Sequence, residues 1–248
     1  MTSSYGVSQP NNSNIFYEIL SRKGYFICRP YPSSLVEAAL SACLRWHSSL
    51  LASENQARAP LCSDSTFFSL AIANGFRRIV KSIYPDCMLN QQNLLLVPEA
   101  LDGHKDQSRW HRDLPYQTWI PQQLAVFNAL LCLGLDPAKR YHSLDIFEGS
   151  HHCLSFPEYM PRDQIARVEL RRGDVLFMNS FLFHRAPIMT NDTFYLLNTV
   201  FMPRCFKQQV ELSRYLPSSF DSNNSFEQKN LCAYLGLADK PREPTKLC

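Results

Sequence analysis

Hydrophobic and polar positions divide the chain into two textures. Ile15 to Leu20 has the spacing of a short helix, and Gly24 to Cys28 that of a strand ending before Pro30. From Leu35 to Leu51 the apolar positions Leu35, Ala38, Ala39, Ala42, Cys43, Trp46 and Leu50 recur with helical period, which predicts an amphipathic helix capped by Pro32-Ser33-Ser34. A second long helix is predicted from Thr66 to Ile83, stopped by Tyr84-Pro85. From Gln91 onward, short apolar runs are broken by proline, aspartate and serine clusters, the texture of antiparallel strands in a sandwich or barrel. Strands are predicted at Asn93–Val97, His111–Tyr116, Ala125–Gly134, Ser143–Phe147, Arg167–Glu169, Asp174–Asn179 and Phe194–Pro203, with a last short helix from Phe226 to Leu235.

This pattern predicts one domain over residues 1–248: a polar lead (1–14), a helical support layer (15–90), a β core (91–204) and a peripheral C-terminal segment (205–248). Apolar residues make up 45% of the chain and charged residues 19%, a mixture that buries a core instead of remaining disordered. A formal charge of +3 without any lysine or arginine run argues against nucleic acid as a partner. The apolar runs are too short for a bilayer span, which argues against a membrane segment. The polar start lacks the pattern of a secretory signal. Nine cysteines fall without CxxC spacing, as reduced thiols would, so a cytoplasmic setting is expected. With only 8 glycines, and no GxGxxG, Walker-type loop or GxSxG, neither a nucleotide cradle nor a serine hydrolase elbow is present.

The candidate chemistry lies in Trp110-His111-Arg112-Asp113-Leu114-Pro115-Tyr116. Residues two apart on a strand share a face, so His111 and Asp113 can present an imidazole and a carboxylate to one centre. His184 follows an apolar strand 71 residues after Asp113. Two histidines and one carboxylate, leaving three positions open, form the facial triad of non-heme Fe(II) oxygenases. Zinc with an open position suits the same ligands, but no general base stands near them in sequence. His151 and His152, after a Gly-Ser turn, read as loop-ordering residues, and Asp174 as structural. Asn128, Asn198, Gln92 and Asn93 interrupt strands, and their amides either bond across the sheet or face a pocket. Tyr116 and Trp119 are candidate pocket walls.

The order of HxD with a flanking tryptophan and a following aromatic, then Phe147-Glu148-Gly149-Ser150-His151, then Gly173-Asp174 leading to His184, resembles the phytanoyl-CoA dioxygenase family of Fe(II)- and 2-oxoglutarate-dependent oxygenases over roughly residues 15–204. The resemblance implies a double-stranded β-helix (a cupin-like jelly roll) flanked by N-terminal helices. It also implies iron bound by His111, Asp113 and His184, with 2-oxoglutarate and O2 in the remaining positions. A small organic substrate, of secondary metabolism, would be hydroxylated, desaturated or cyclised.

One departure stands out. The family carries an arginine about eleven residues after the distal histidine, gripping the far carboxylate of 2-oxoglutarate. Here that position is Tyr195. Three readings stay open: another cation enters the pocket, with Arg185, Arg140 and Arg172 as candidates; the enzyme binds iron but uses no 2-oxoglutarate; or catalysis is lost and a non-catalytic binding module remains. Cosubstrate contacts are expected from Tyr195, Asn128, Asn198, Arg185 and Gln92.

Overall fold

The computed structural model describes residues 15–53, 55–97, 109–113, 126–153, 155, 161–186, 193–204 and 226–236. The expected strand residues 114–116 and 125, the wall candidates Tyr116 and Trp119, the polar lead and most of the C-terminal segment lie outside the described residues.

Helices α1 (Ile15–Lys23), α2 (Ser33–Ala52), α3 (Ser65–Ile72) and α4 (Asn74–Ile83) precede most of the sheet. Strands β1 (Tyr25–Cys28) and β2 (Gln56–Arg58) lie among them. The rest of the β structure comprises β3 (Cys87–Val97), β4 (Phe127–Gly134), β5 (His142–Phe147), β6 (Ile165–Leu170), β7 (Val175–Asn179), β8 (His184–Arg185) and β9 (Phe194–Pro203), and α5 (Phe226–Tyr234) follows. The strands form an antiparallel six-stranded sheet, β1-β7-β4-β9-β3-β2, and a three-stranded sheet, β6-β5-β8.

Both faces of the larger sheet are buried, so its central strands read as continuous apolar runs and the alternation is hidden in which partner each side chain meets. Phe127, Ala129, Leu131 and Leu133 of β4, Val175 and Phe177 of β7, and Tyr195, Leu197 and Phe201 of β9 pack with the helices. Leu130 and Cys132, Leu176 and Met178, and Phe194 and Leu196 pack instead with Leu144, Ile146, Val168 and Leu170 of the smaller sheet. Side chains alternate along each strand, so this split assigns an inward face, between the sheets, and an outward face toward the helices. Phe177 anchors the outward layer. Its ring stacks on Phe26 at 4.9 Å and meets Phe76 at 5.7 Å, while Phe76 continues to Phe201 at 5.8 Å.

Local chemistry moved several boundaries. The single helix expected from Thr66 to Ile83 is two, parted by extended Ala73, with Asp64 capping the first by accepting from Thr66 N at 2.8 Å. Gly75 follows the break, where a Cβ would stand 2.6 Å from the Pro30 carbonyl oxygen. The serines expected to cap α2 lie within its first turn, and Pro32 holds the cap position without a side-chain hydrogen bond. Strand β3 begins at Cys87, six residues before its expected start, because Asn90, Gln91 and Gln92 disguise it and its register shifts between Leu89 and Gln91. Strand β2, a polar three-residue edge, escaped the sequence reading altogether. At the other end, Tyr234 is fully buried, donates to the Ala71 carbonyl at 2.9 Å and packs on Phe201, so α5 belongs to the helical layer.

Because Phe177 is fully buried among aromatic rings, Phe177→Ala is expected to cost about 3–5 kcal/mol. Urea denaturation measures this; a loss below about 1 kcal/mol would contradict the packing described.

Candidate metal centre

His184 opens β8, and His111 forms an antiparallel bridge with it. The two residues exchange both backbone bonds, His111 N to His184 O and His184 N to His111 O, each 3.0 Å. That exchange holds their rings 4.4 Å apart between centroids. Among the described residues the expected strand at His111 is this bridge alone, with Asp113 in a bend. The carboxylate still arrives: Asp113 Oδ1 lies 3.5 Å from His184 Nε2 and 3.9 Å from His111 Nε2. One ligand atom from each of the three falls within 4.8 Å of the others, a set able to hold a metal ion.

The tautomers suit that role. His111 Nδ1 donates to the Arg109 carbonyl at 2.9 Å and His184 Nδ1 donates to the Leu182 carbonyl at 3.0 Å. A carbonyl only accepts, so each proton sits on Nδ1 and each Nε2 lone pair is free for a metal. Asp113 is fixed in turn by Asn128, whose amide Nδ2 donates to Asp113 Oδ2, while Ser180 Oγ donates to Asn128 Oδ1 at 2.7 Å. Ser150 Oγ accepts from Phe183 N at 2.8 Å, pinning the backbone just before His184. Gly149 permits that turn with φ +74°.

Charge and burial act against each other at the three ligands. Burial and the neighbouring His184 lower the pKa of His111, against the Arg109 carbonyl and Asp113. Burial opposes a charge on His184, but Asp113 and the Leu182 carbonyl outweigh it and raise its pKa. Burial likewise opposes ionised Asp113, and His184, His111 and Asn128 together hold its pKa below the ordinary carboxylate range. The metal-free centre is thus a carboxylate beside a readily protonated imidazole.

Of the residues expected to contact a cosubstrate, Asn128 and Asn198 lie on the inward face and three do not. Tyr195 packs with the helix-side core, and its hydroxyl shares a 2.9 Å hydrogen bond with His47 Nδ1 of α2. Strand alternation thus turns it away from the metal centre, and the expectation that it stands in for the arginine is corrected; its inward neighbours are Phe194 and Leu196. Gln92 is also on the helix side, donating to Thr199 Oγ1 at 3.4 Å. Arg185 points out of the smaller sheet, where its Nε donates to Asp145 Oδ2 at 3.0 Å and its guanidinium lies over Trp110. Arg140 pairs with Glu169, and Arg172 reaches Glu37 and the Leu135 carbonyl. Among the described residues one arginine, the exposed Arg58 of edge strand β2, has an inward register, opposite Asn93, which is itself opposite Asn198.

The expected structural readings fit what these side chains touch. His151 and His152 both donate through Nε2 to the Ser21 carbonyl, at 2.7 and 2.9 Å. Asp174 accepts from Arg29 Nε and from Arg171 N. His142, which belongs to no sequence motif, opens β5 on the inward face and is 6% exposed. The only signal was a histidine in register with inward Leu144 and Ile146.

Neither a protein-family profile nor any curated protein matches the sequence. Solved structures do match in fold. The chain is similar to the non-heme alpha ketoglutarate dependent epimerase SnoN from nogalamycin biosynthesis, at 19% identity over 83% of this chain and 87% of that one, with a TM-score of 0.58. It is similar to the non-heme monooxygenase ThoJ, at 16% identity over 91% and 95%, with a TM-score of 0.64. A third is HygX from Streptomyces hygroscopicus, solved with nickel and 2-oxoglutarate bound, at 17% identity over 77% and 87%, with a TM-score of 0.55. At these identities the shared property is the fold: antiparallel sheets with helices, of the kind used by non-heme iron enzymes.

Two outcomes follow from the centre. Asn128→Ala frees Asp113 and is expected to weaken Fe(II) binding about 10- to 100-fold in anaerobic competition with a chelator; unchanged affinity would deny Asn128 its positioning role. Folding of the metal-free protein gains from protonated His184 below its ordinary pKa of about 6.5, and that gain is lost as the pH rises through its raised value. Metal binding must displace that proton, so Fe(II) affinity should rise between about pH 6 and about pH 8; a pH-independent affinity would contradict the charge arrangement.

Proposed function

We propose that the protein is a non-heme Fe(II)- and 2-oxoglutarate-dependent oxygenase of the phytanoyl-CoA dioxygenase type, acting on a small organic molecule with O2. The observation that carries this reading is the convergence of two free Nε2 lone pairs and one fixed carboxylate within 4.8 Å. A double-stranded β-helix in one domain is the architecture we propose. Its support is the order β3-β9-β4-β7 in one sheet facing β6-β5-β8 in the other, with His111 continuing the second sheet beside β8. The solved relatives in fold are described as an alpha ketoglutarate dependent epimerase, a monooxygenase and a protein with bound 2-oxoglutarate. The seven described cysteines are free thiols, which suits a cytoplasmic setting where iron stays ferrous. No helix among the described residues is long and apolar enough to cross a membrane.

In this reading His111, Asp113 and His184 hold the iron. Bound iron and 2-oxoglutarate supply an oxidation in which O2 converts the oxo-acid to succinate and CO2 and a substrate hydrogen is removed. The chain's own groups prepare for it. The Arg109 and Leu182 carbonyls hold both imidazoles in the ligating tautomer, and Asn128 and Ser180 keep Asp113 ionised and aimed. Inward Leu130, Leu176 and Leu196 line the space between the sheets with apolar side chains. A carboxylate ligand occupies the position that halogenation needs open, so hydroxylation, desaturation, cyclisation or epimerisation is favoured.

A second reading, an iron enzyme that uses no 2-oxoglutarate, is favoured by one observation: among the described residues no buried arginine or lysine lies on the inward face. One experiment separates the two. Anaerobic protein with Fe(II) and 2-oxoglutarate should develop a visible charge-transfer band, and O2 should then release succinate. Bound iron with no band and no succinate would contradict the first reading and support the second.

A further inference from the structure

Among the described residues the inward face carries a buried imidazole outside the metal centre, that of His142, besides Asn198, whose Oδ1 is buried without a partner. His142 stands on β5 in the row His142, Leu144, Ile146, and Ile146 is directly opposite His184 on β8. His142 is therefore four residues along the same face from the metal ligand, about 13 Å of strand at ~3.3 Å per residue. Its ring is 5.5 Å from that of Phe194, the residue preceding Tyr195 and, unlike Tyr195, inward-facing. It thus occupies the end of the interior at which the resemblance places an arginine on β9. The ring has no hydrogen-bond partner among the described residues, although it is 6% exposed. Burial, then the nearby His184, push its pKa down to about 4, so at neutral pH it offers one N–H and no charge.

We propose that His142 donates its imidazole N–H to the far carboxylate of the bound oxo-acid, taking over from the opposite sheet the anchoring task of the missing arginine. The inference rests on the function proposed above and adds the residue that selects the cosubstrate. A hydrogen bond to a carboxylate, without a charge to pair with it, gives selectivity for a dicarboxylate at lower affinity than a guanidinium fork.

The test is a chemical double comparison read by binding. Anaerobic Fe(II) protein is titrated with 2-oxoglutarate and with 2-oxopentanoate, which has the same chelating end and no far carboxylate, following the charge-transfer band. His142→Leu should weaken 2-oxoglutarate about tenfold or more and 2-oxopentanoate less than twofold, with Fe(II) affinity unchanged. His142→Asn, which keeps a donor, should recover part of the loss. The urea midpoint of His142→Leu should hold or rise, since an apolar side chain replaces a polar ring among apolar neighbours; a residue with a purely structural role would lower it. Equal weakening of both oxo-acids, no change in either, or loss of discrimination in Arg58→Ala instead of His142→Leu would overturn the proposal. If the wild-type iron protein gives no band with either oxo-acid, the proposed function fails too. If it binds both and the His142 variants bind them equally well, only this inference fails.

Discussion

Everything inside this fold depends on the double burial of the central strands. Strands β7, β4 and β9 have helices on one face and a second sheet on the other, so no residue in them chooses between core and solvent. The choice is between two interiors. Helix-side positions carry the rings of Phe177, stacked on Phe26, and Phe201, stacked on Phe127. Inward positions carry aliphatic side chains together with Cys132, Met178, Phe194, Asn128, Asn198 and, from the smaller sheet, His142 and His184. Since alternation has a period of two, a shift by one residue would exchange the two sets completely. The position of every polar group is therefore set by parity, and the chemistry follows from it.

Much of this was legible in the chain. Apolar runs mark β4, β7 and β9 well, and β9 has the expected limits, Phe194 to Pro203. The HxD pair and the distal histidine meet, because the glycine turn at Gly149 and the hydroxyl of Ser150 bring the segment before His184 into position. What stayed hidden has a common cause. In a strand buried on both sides the residues read alike, so hydrophobicity carries no parity. Counting eleven residues from His184 to Tyr195 selected the outward face, where the hydroxyl meets His47. Gln92 and Arg185 were misassigned in the same way, and β2 and the start of β3 were lost because their residues are polar.

The candidate metal centre and the fold support one another through backbone as well as side-chain contacts. The reciprocal His111–His184 bonds tie a segment next to the metal site to the smaller sheet. The same two residues turn their Nδ1 protons to local carbonyls. Outside, Asp145 gathers Arg167 and Arg185, and Arg185 covers Trp110, so the residue before His111 is held from the far side of the sheet. The three candidate ligands thus come from two segments held together without a metal, which is the preorganisation a facial triad would need.

X-ray absorption at the iron edge of the anaerobically Fe(II)-loaded protein tests the central claim most directly. The account predicts a shell of nitrogen and oxygen with the outer scattering of two imidazoles, falling to one in His184→Ala. A sulfur shell, or two imidazoles that persist in that variant, would contradict it.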